Sequence, residues 1–365
     1  MKHPPSITLL TSRLDFGGVA DHVALLANAL AERGVKVSKV TRERDFARAI
    51  TTSAHTDANS WIGLHFVAYG WAKHGVLKRT DIEQLRVACT GRRVAIYLHE
   101  LWIGAALGVP LKQRVFGALQ RRSLLRLVAT LRPERLLTSN PVYKAMLARE
   151  GLDARVLPLP GNLPPSSETD RHEARAWLSS VGIGGESRPD LAAVFGLIHP
   201  EWDAHVAVAD WRAHVARKNR SSAILAVGRH GSAGPRKLAA LREHLPGLRV
   251  VSAGEQPASL LAGLLAECSL GLATTPWSLI GKSGTAAAFM EAGLPVLVTR
   301  DDWRWRHGPT PSPVPHPRLW KWTGTSPFAW DQFLAARASF APGLAQVADA
   351  WLQFMSEPRT APCAS

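Results

Sequence analysis

The segment Gly281-Lys-Ser-Gly-Thr285 puts a lysine, two hydroxyls and two glycines directly before a run of small residues, Ala286-Ala-Ala-Phe-Met290. Gly293 and Pro295 follow in the usual order of helix stop signals, and Val296-Leu-Val298 reads as a buried strand. The first amides of a helix have no internal partner, and the macrodipole makes that end partly positive. Lys282, Ser283, Gly284 and Thr285 at such a start therefore suit a phosphate group. This is not a Walker loop, because the Gly-x4-Gly-Lys-Ser/Thr spacing is absent. The same residues also suit an ordinary capped helix in an α/β core, and the loop alone does not choose between the two.

Other residues carry usable chemistry. Arg229 follows a glycine at the end of the apolar stretch Ala223-Ile-Leu-Ala-Val227 and is a second candidate cation for phosphate. Gly17 and Gly18 lie in a tight turn where the backbone can approach a ligand with no side chain between. His99 and Glu100 close the apolar stretch Arg93–Leu98. A histidine there can donate to a hydroxyl or exchange a proton near neutral pH, while Glu100 is either a base or a loop charge. No metal is expected. There is no Asp-x-Asp pair, Asp301 and Asp302 are adjacent, and His65, His74, His199, His205 and His214 lack ligand spacing. A Gly-x-Ser-x-Gly elbow is also absent, which disfavours Ser-His-Asp hydrolysis.

Two alternating halves must position these groups. Ser6–Thr11 reads as a first strand, and Val19, Val23, Leu26 and Leu30 give one apolar helical face. Val35–Val40, Ser60–Phe66, Arg93–Leu98 and Leu136–Asn140 are further strands, with an arginine-rich helix over 111–131. In the second half, Ala192–Gly196, Ala223–Gly228, Arg249–Gly254, Ser269–Ala273 and Pro295–Thr299 read as strands, most ending at a glycine. Strands alternating with helices predict parallel sheets covered on both faces, with ligands beyond the carboxyl ends of the strands. The expected organisation is an N-terminal domain over 1–165, a connection over 166–190 with a short helical piece near 173–179, and a second domain over 191–335. A C-terminal helix at about 340–358 packs back on the first domain. The stretch 302–322, dense in Trp, Pro and Arg, reads either as a packed surface loop or as an acceptor or membrane contact.

Composition sets outer limits. With 365 residues, 46% hydrophobic and 20% charged, the chain can bury two cores and is not disordered. Three distant cysteines make neither a zinc knuckle nor a disulfide framework and suit a reducing compartment. No stretch is long and apolar enough to span a bilayer, so a cytoplasmic protein is expected, peripheral at most on the inner membrane face. A net charge of +15 attracts polyanions, but the interleaved aromatic and basic motifs of nucleic-acid modules are missing.

In order along the chain, Asp15-Phe-Gly-Gly-Val-Ala-Asp-His-Val23, Ile96-Tyr-Leu-His-Glu-Leu101, Gly254-Glu-Gln-Pro-Ala-Ser-Leu-Leu261 and Ala292-Gly-Leu-Pro-Val-Leu297 resemble motifs of one enzyme class. They are similar to those of the GT-B glycosyltransferases, in particular family 4. The resemblance covers roughly residues 6–300 and implies an α/β protein of two Rossmann-like domains facing across a cleft. It implies a nucleotide-sugar donor held by Gly17, Gly18, Arg229, Gly254, Glu255, Lys282, Ser283, Gly284, Thr285 and Glu291. It also implies catalytic roles for His99 and Glu100, retention of anomeric configuration, and no metal or other cofactor.

Two departures stand out. The family's paired glutamates fall on Ile280 and Ala288, and no basic residue occupies the family positions after Gly196. Glu291, one turn from Ala288, can replace the second glutamate or be a helix-end charge. The expected function is sugar transfer from a nucleotide donor to a glycan, lipid-linked or other small acceptor, of a polysaccharide-building kind. The alternatives are a catalytically silent nucleotide- or sugar-binding protein and a sugar-nucleotide epimerase on the same fold. Arg114, Arg121, Arg122, Arg126 and Arg132 either meet anionic lipid or a pyrophosphate-bearing acceptor, or form a solvated helix face.

Overall fold

The computed structural model describes residues 6–12, 18–41, 60–185, 188–324, 328–336 and 343–358. The chain divides into two compact units. The first comprises 1–160, 304–312 and 343–365, and the second 161–303 and 313–342.

In the first unit the strands are β1 Ser6–Thr11, β2 Lys36–Thr41, β3 Trp61–Phe66, β4 Arg93–Leu98, β5 Arg135–Thr138 and β6 Arg155–Val156. The helices between them are α1 Gly18–Glu32, α2 Ala68–Trp71, α3 Arg79–Cys89, α4 Leu111–Leu131 and α5 Pro141–Ala148. Among the described residues the strands form one parallel sheet in the order β2-β1-β3-β4-β5-β6. Every residue of β1, β3 and β4 is buried, as expected for central strands covered on both faces. Successive strand side chains point to opposite faces, so Ile7, Leu9, Trp61, Ala95, Tyr97 and Leu137 share one face. That face packs against Val23, Leu26 and Leu30 of α1.

The second unit has strands β7 Asp190–Phe195, β8 Ser222–Val227, β9 Arg249–Gly254, β10 Leu270–Ala273, β11 Val296–Val298 and β12 Leu319–Lys321. Its helices are α6 Glu168–Ser180, α7 His205–Ala216, α8 Gly234–His244, α9 Ala258–Ala266, α10 Gly284–Glu291 and α11 Trp330–Ala335. This sheet is also parallel, in the order β9-β8-β7-β10-β11-β12. Numbered within the unit, that is the 3-2-1-4-5-6 order of the doubly wound dinucleotide fold. A last helix, α12 Gly343–Ser356, returns to the first unit and buries Val347, Ala348, Trp351 and Phe354 in the cluster that holds α1.

Three segments differ from the reading of the sequence. The connection expected over 166–190 is largely α6, whose Ala174 and Leu178 lie in the second unit's core. A capping box, Ser167 with Asp170, starts this helix and overrides the Pro/Ser/Gly composition around it. The stretch 302–322 is not all loop. Its end is β12, which pairs with β11, and Arg304–Ser312 joins the first unit through Leu107 N–H to Arg304 O at 2.8 Å and Arg306 N–H to Ala105 O at 3.0 Å. The sequence predicts one C-terminal helix at about 340–358; the structure has α12 there, in the first unit, and a further short helix, α11, before it in the second.

Candidate functional site

In a doubly wound sheet the crevice opens beyond the carboxyl ends of the strands, where the strand order reverses. In the second unit that point lies between β7 and β10. The chain leaves β7 at Gly196, φ +73°, a left-handed conformation that side chains disfavour. A Cβ on Gly196 would sit 3.0 Å from Thr285 Cγ2, so this turn lies against the start of α10. Ser283 caps that helix. Its Oγ accepts from Ala286 N–H at 3.3 Å and lies 2.9 Å from Thr285 Oγ1. Lys282 ends the preceding 3-10 helix, Trp277–Lys282. The structure therefore brings Lys282, Ser283, Gly284 and Thr285 to the switch point, at the one end of α10 where amides lack helical partners.

The neighbouring strand ends carry the other expected residues. Gly228 and Gly254, at φ +91° and +64°, end β8 and β9, and Gly228 N–H donates to Gly254 O at 2.6 Å. Arg229 and Glu255 follow these glycines and pair with each other, Nε to Oε1 at 2.5 Å, on an exposed surface. The hydrogen bond and opposite charge hold the Glu255 carboxyl below its ordinary range and raise the Arg229 guanidinium. Arg229 thus presents part of its charge to Glu255.

Sequence reasoning missed Arg300 and Thr274. Arg300, buried just after β11, donates to Thr274 O at 3.2 Å and clamps Asp302 through Nε at 2.9 Å and Nη2 at 2.5 Å. Thr274 Oγ1 donates to Leu197 O at 2.7 Å, joining the loops after β7 and β10. Burial, and then the nearby Arg300 charge, lower the pKa of His199 despite Glu201 and Asp302. An arginine after a short apolar strand was the available signal.

The positions of the missing glutamates have a structural explanation. Ile280 belongs to the apolar core. Ala288 is buried under the backbone of Gly161, where a glycine Cβ would lie 2.9 Å from Ala288 Cα. Glu291 is at the opposite end of α10 from Ser283, and its Oε1 accepts from Gly161 N–H at 2.8 Å. The carboxylate therefore anchors the chain entering the second unit.

In the first unit, Gly17 lies outside the described residues, and Gly18 is the exposed first residue of α1. His99 does not face solvent. It follows β4 with 6% of its surface exposed, and its Nε2 is 3.0 Å from His65 Nδ1. His22, from the second turn of α1, completes a compact buried group with these two rings. Of the five histidines read as lacking ligand spacing, only His65 belongs to this group, which forms because its three members sit on separate elements. Burial lowers the pKa of all three, that of His22 to about 4, and the proximity of the rings adds to the effect for His65 and His99. The imidazoles are therefore neutral near pH 7. Glu100, next to His99 in sequence, is partly exposed.

No protein-family model matches the sequence, and no curated protein matches it. Solved structures do resemble it. The catalytic domain of starch synthase IV from Arabidopsis thaliana, bound to ADP and acarbose, superposes with a TM-score of 0.54 at 11% identity, covering 97% of this chain and 99% of that one. HepE from Anabaena, in complex with UDP and glucose, gives 0.50 at 12% identity over 94% of each chain. The fold is GT-B. At such identities the likeness concerns the backbone, here two parallel six-stranded sheets with helices between the strands. Among the described residues no helix is long and apolar enough to cross a membrane.

Proposed function

We propose that this GT-B protein transfers a sugar, with retention, from a nucleotide-sugar donor to a glycan or lipid-linked acceptor. One observation carries the reading: the start of α10, with Ser283 and Thr285, lies against the Gly196 turn at the switch point of a 3-2-1-4-5-6 sheet. A departing nucleoside diphosphate gains negative charge, and aligned amides with a nearby cation stabilise it. Lys282 and the amides of Gly284 and Thr285 take that role in this reading, with Gly254 and Glu255 on the nucleoside side. Arg229 contributes after exchanging its bond to Glu255 for one to phosphate. Gly17 and Gly18 keep the donor-binding role expected from the sequence. Glu291 secures the donor half through Gly161. Glu100 handles the acceptor hydroxyl, and His99, neutral and buried, positions that strand end.

The acceptor preference rests on α4. Leu107, Leu111, Val115 and Leu119 are exposed, with Leu111 at 72%. The last three recur every four residues, so they form one ridge along the helix. Lys112, Arg114, Arg121 and Arg122 flank that ridge, and α4 has no acidic residue. An apolar ridge edged with cations suits a lipid-linked acceptor on an anionic membrane. The burial of Ile280 and Ala288 favours one second reading, nucleotide binding without turnover.

Incubation with a panel of nucleotide sugars separates the two. Nucleoside diphosphate release that rises with added acceptor and is lost in Lys282→Ala supports transfer. Binding without release under every acceptor supports the silent protein, and no binding of any nucleotide sugar contradicts both.

A further inference from the structure

His22, His65 and His99 are 2%, 0% and 6% exposed, and their ring centroids are 5.2, 5.2 and 5.3 Å apart. One nitrogen from each ring lies within 4.8 Å of the other two. Three imidazoles bound tetrahedrally at about 2.0–2.1 Å would hold their nitrogens about 3.3 Å apart and their centroids about 5.2 Å apart. Of the three pairs, His65 Nδ1 and His99 Nε2 are 3.0 Å apart, close to that spacing.

The second observation is a lack of partners. Neither nitrogen of His22 has a hydrogen-bond partner among the described residues, and neither does His65 Nε2. Every neutral imidazole carries one donor and one acceptor, and burying these unpaired is costly. The buried hydroxyls of Thr11, Ser12, Thr138 and Ser139 also lack partners among the described residues. They belong to the same sheet edge, because Leu10 pairs with Leu64 and Leu98 with Thr138. Tyr97 does not fill the gap, since its hydroxyl donates to Leu157 O at 2.8 Å. Unpartnered buried polar groups thus gather at the carboxyl edge of the sheet, at the ends of β1, β3, β4 and β5.

We propose that His22, His65 and His99 bind one divalent transition-metal ion of the zinc type through three imidazole nitrogens. Neutral imidazole suits Zn2+, Co2+, Ni2+ and Cu2+ and does not suit the oxygen-seeking Mg2+ and Ca2+. The ion ties α1 to the ends of β3 and β4 and fixes the backbone from which Glu100 projects. It needs no nucleotide, so it stands apart from the transferase reading.

The test uses the full chain, freed of any histidine tag and stripped with chelator. Titration with Co2+ should give a visible ligand-field spectrum saturating at one equivalent, displaced by Zn2+. Zn2+ should raise Tm by about 5 °C or more, and Mg2+ should not. His22→Gln and His65→Gln should lose both effects, while His172→Gln, on the exposed face of α6, should keep them. Wild-type protein that takes up less than about a tenth of an equivalent of Co2+ and Zn2+ at micromolar concentration overturns the proposal, whatever the variants do. Retention of stoichiometric metal by a folded His22→Gln, His65→Gln double variant overturns it equally. Neither result bears on nucleotide binding.

Discussion

Ser283 carries two duties at one oxygen: it caps α10 and it orders the Thr285 hydroxyl. Ser283→Ala should lower the stability of the second unit by about 1 kcal/mol, the usual worth of such a cap, read by urea unfolding. Under the transferase reading it should also weaken nucleoside diphosphate binding, a readout that a purely structural cap would barely move. Glu291 acts at the other helix end. Glu291→Ala removes a charged acceptor from Gly161 N–H and should cost about 1.5–3 kcal/mol, with Glu291→Gln recovering part of it. Glu357 supplies the pH dependence. Desolvation pushes its carboxyl up, but the hydrogen bond and charge of Arg135 and the charge of Arg155 prevail and leave its pKa below the ordinary value of 4.5. The unfolded chain then binds the proton more readily, so the stabilisation is complete above pH 4.5 and fades as the pH falls below it. Glu357→Gln should be less stable than the parent at about pH 7 and nearly equal to it near pH 2.

At the level of elements, the first unit depends on chain segments distant in sequence. Arg93, at the start of β4, makes a bidentate pair with Glu134 at 2.7–3.1 Å, donates to Glu357 O at 3.0 Å and lies 4.2 Å over the Trp61 ring. Both charges are about nine-tenths buried, at 7% and 11% side-chain exposure. Arg93→Ala removes the bidentate partner of Glu134 and should cost about 1.5–3 kcal/mol in denaturant unfolding, more than an exposed pair such as Arg86–Glu83. Gly63 has its counterpart in α12, because a Cβ there would meet Trp351 at 3.2 Å and Leu9 at 2.9 Å. Such elements differ in how far the sequence reveals them. The buried strands β1, β3, β4, β7 and β8 and the amphipathic α1 were legible, since apolar runs and helical spacing are local signals. The three-residue β12 was not, because a neighbouring strand rather than its own composition makes it a strand. The helix start at Ser283 was legible from its cap and stop residues. The histidine group was not, because no spacing joins a helix to two strand ends, and Arg300 was missed because an arginine after a short strand does not by itself reveal its distant partner, Thr274 O.

For the whole molecule, a net charge of +15 matters more for encounter than for fold. If α4 meets an anionic membrane, the protein should sediment with vesicles rich in anionic lipid at low salt and be released at about 0.5 M salt, where charges are screened within a few ångströms. Leu111→Glu with Val115→Glu should abolish co-sedimentation without affecting nucleotide binding, because both side chains are exposed on α4 in the first unit. Two Rossmann-like units of the GT-B type set the frame, and the chemistry depends on whether the second one holds a nucleotide. Calorimetric titration with UDP, ADP and GDP addresses this most directly. The account predicts that one of them binds at a single site with micromolar affinity, weakened about tenfold or more in Lys282→Ala, the loss of one charged contact. Absence of binding by all three at millimolar concentration, or binding by Lys282→Ala and by Ser283→Ala as tight as by the parent, would contradict it.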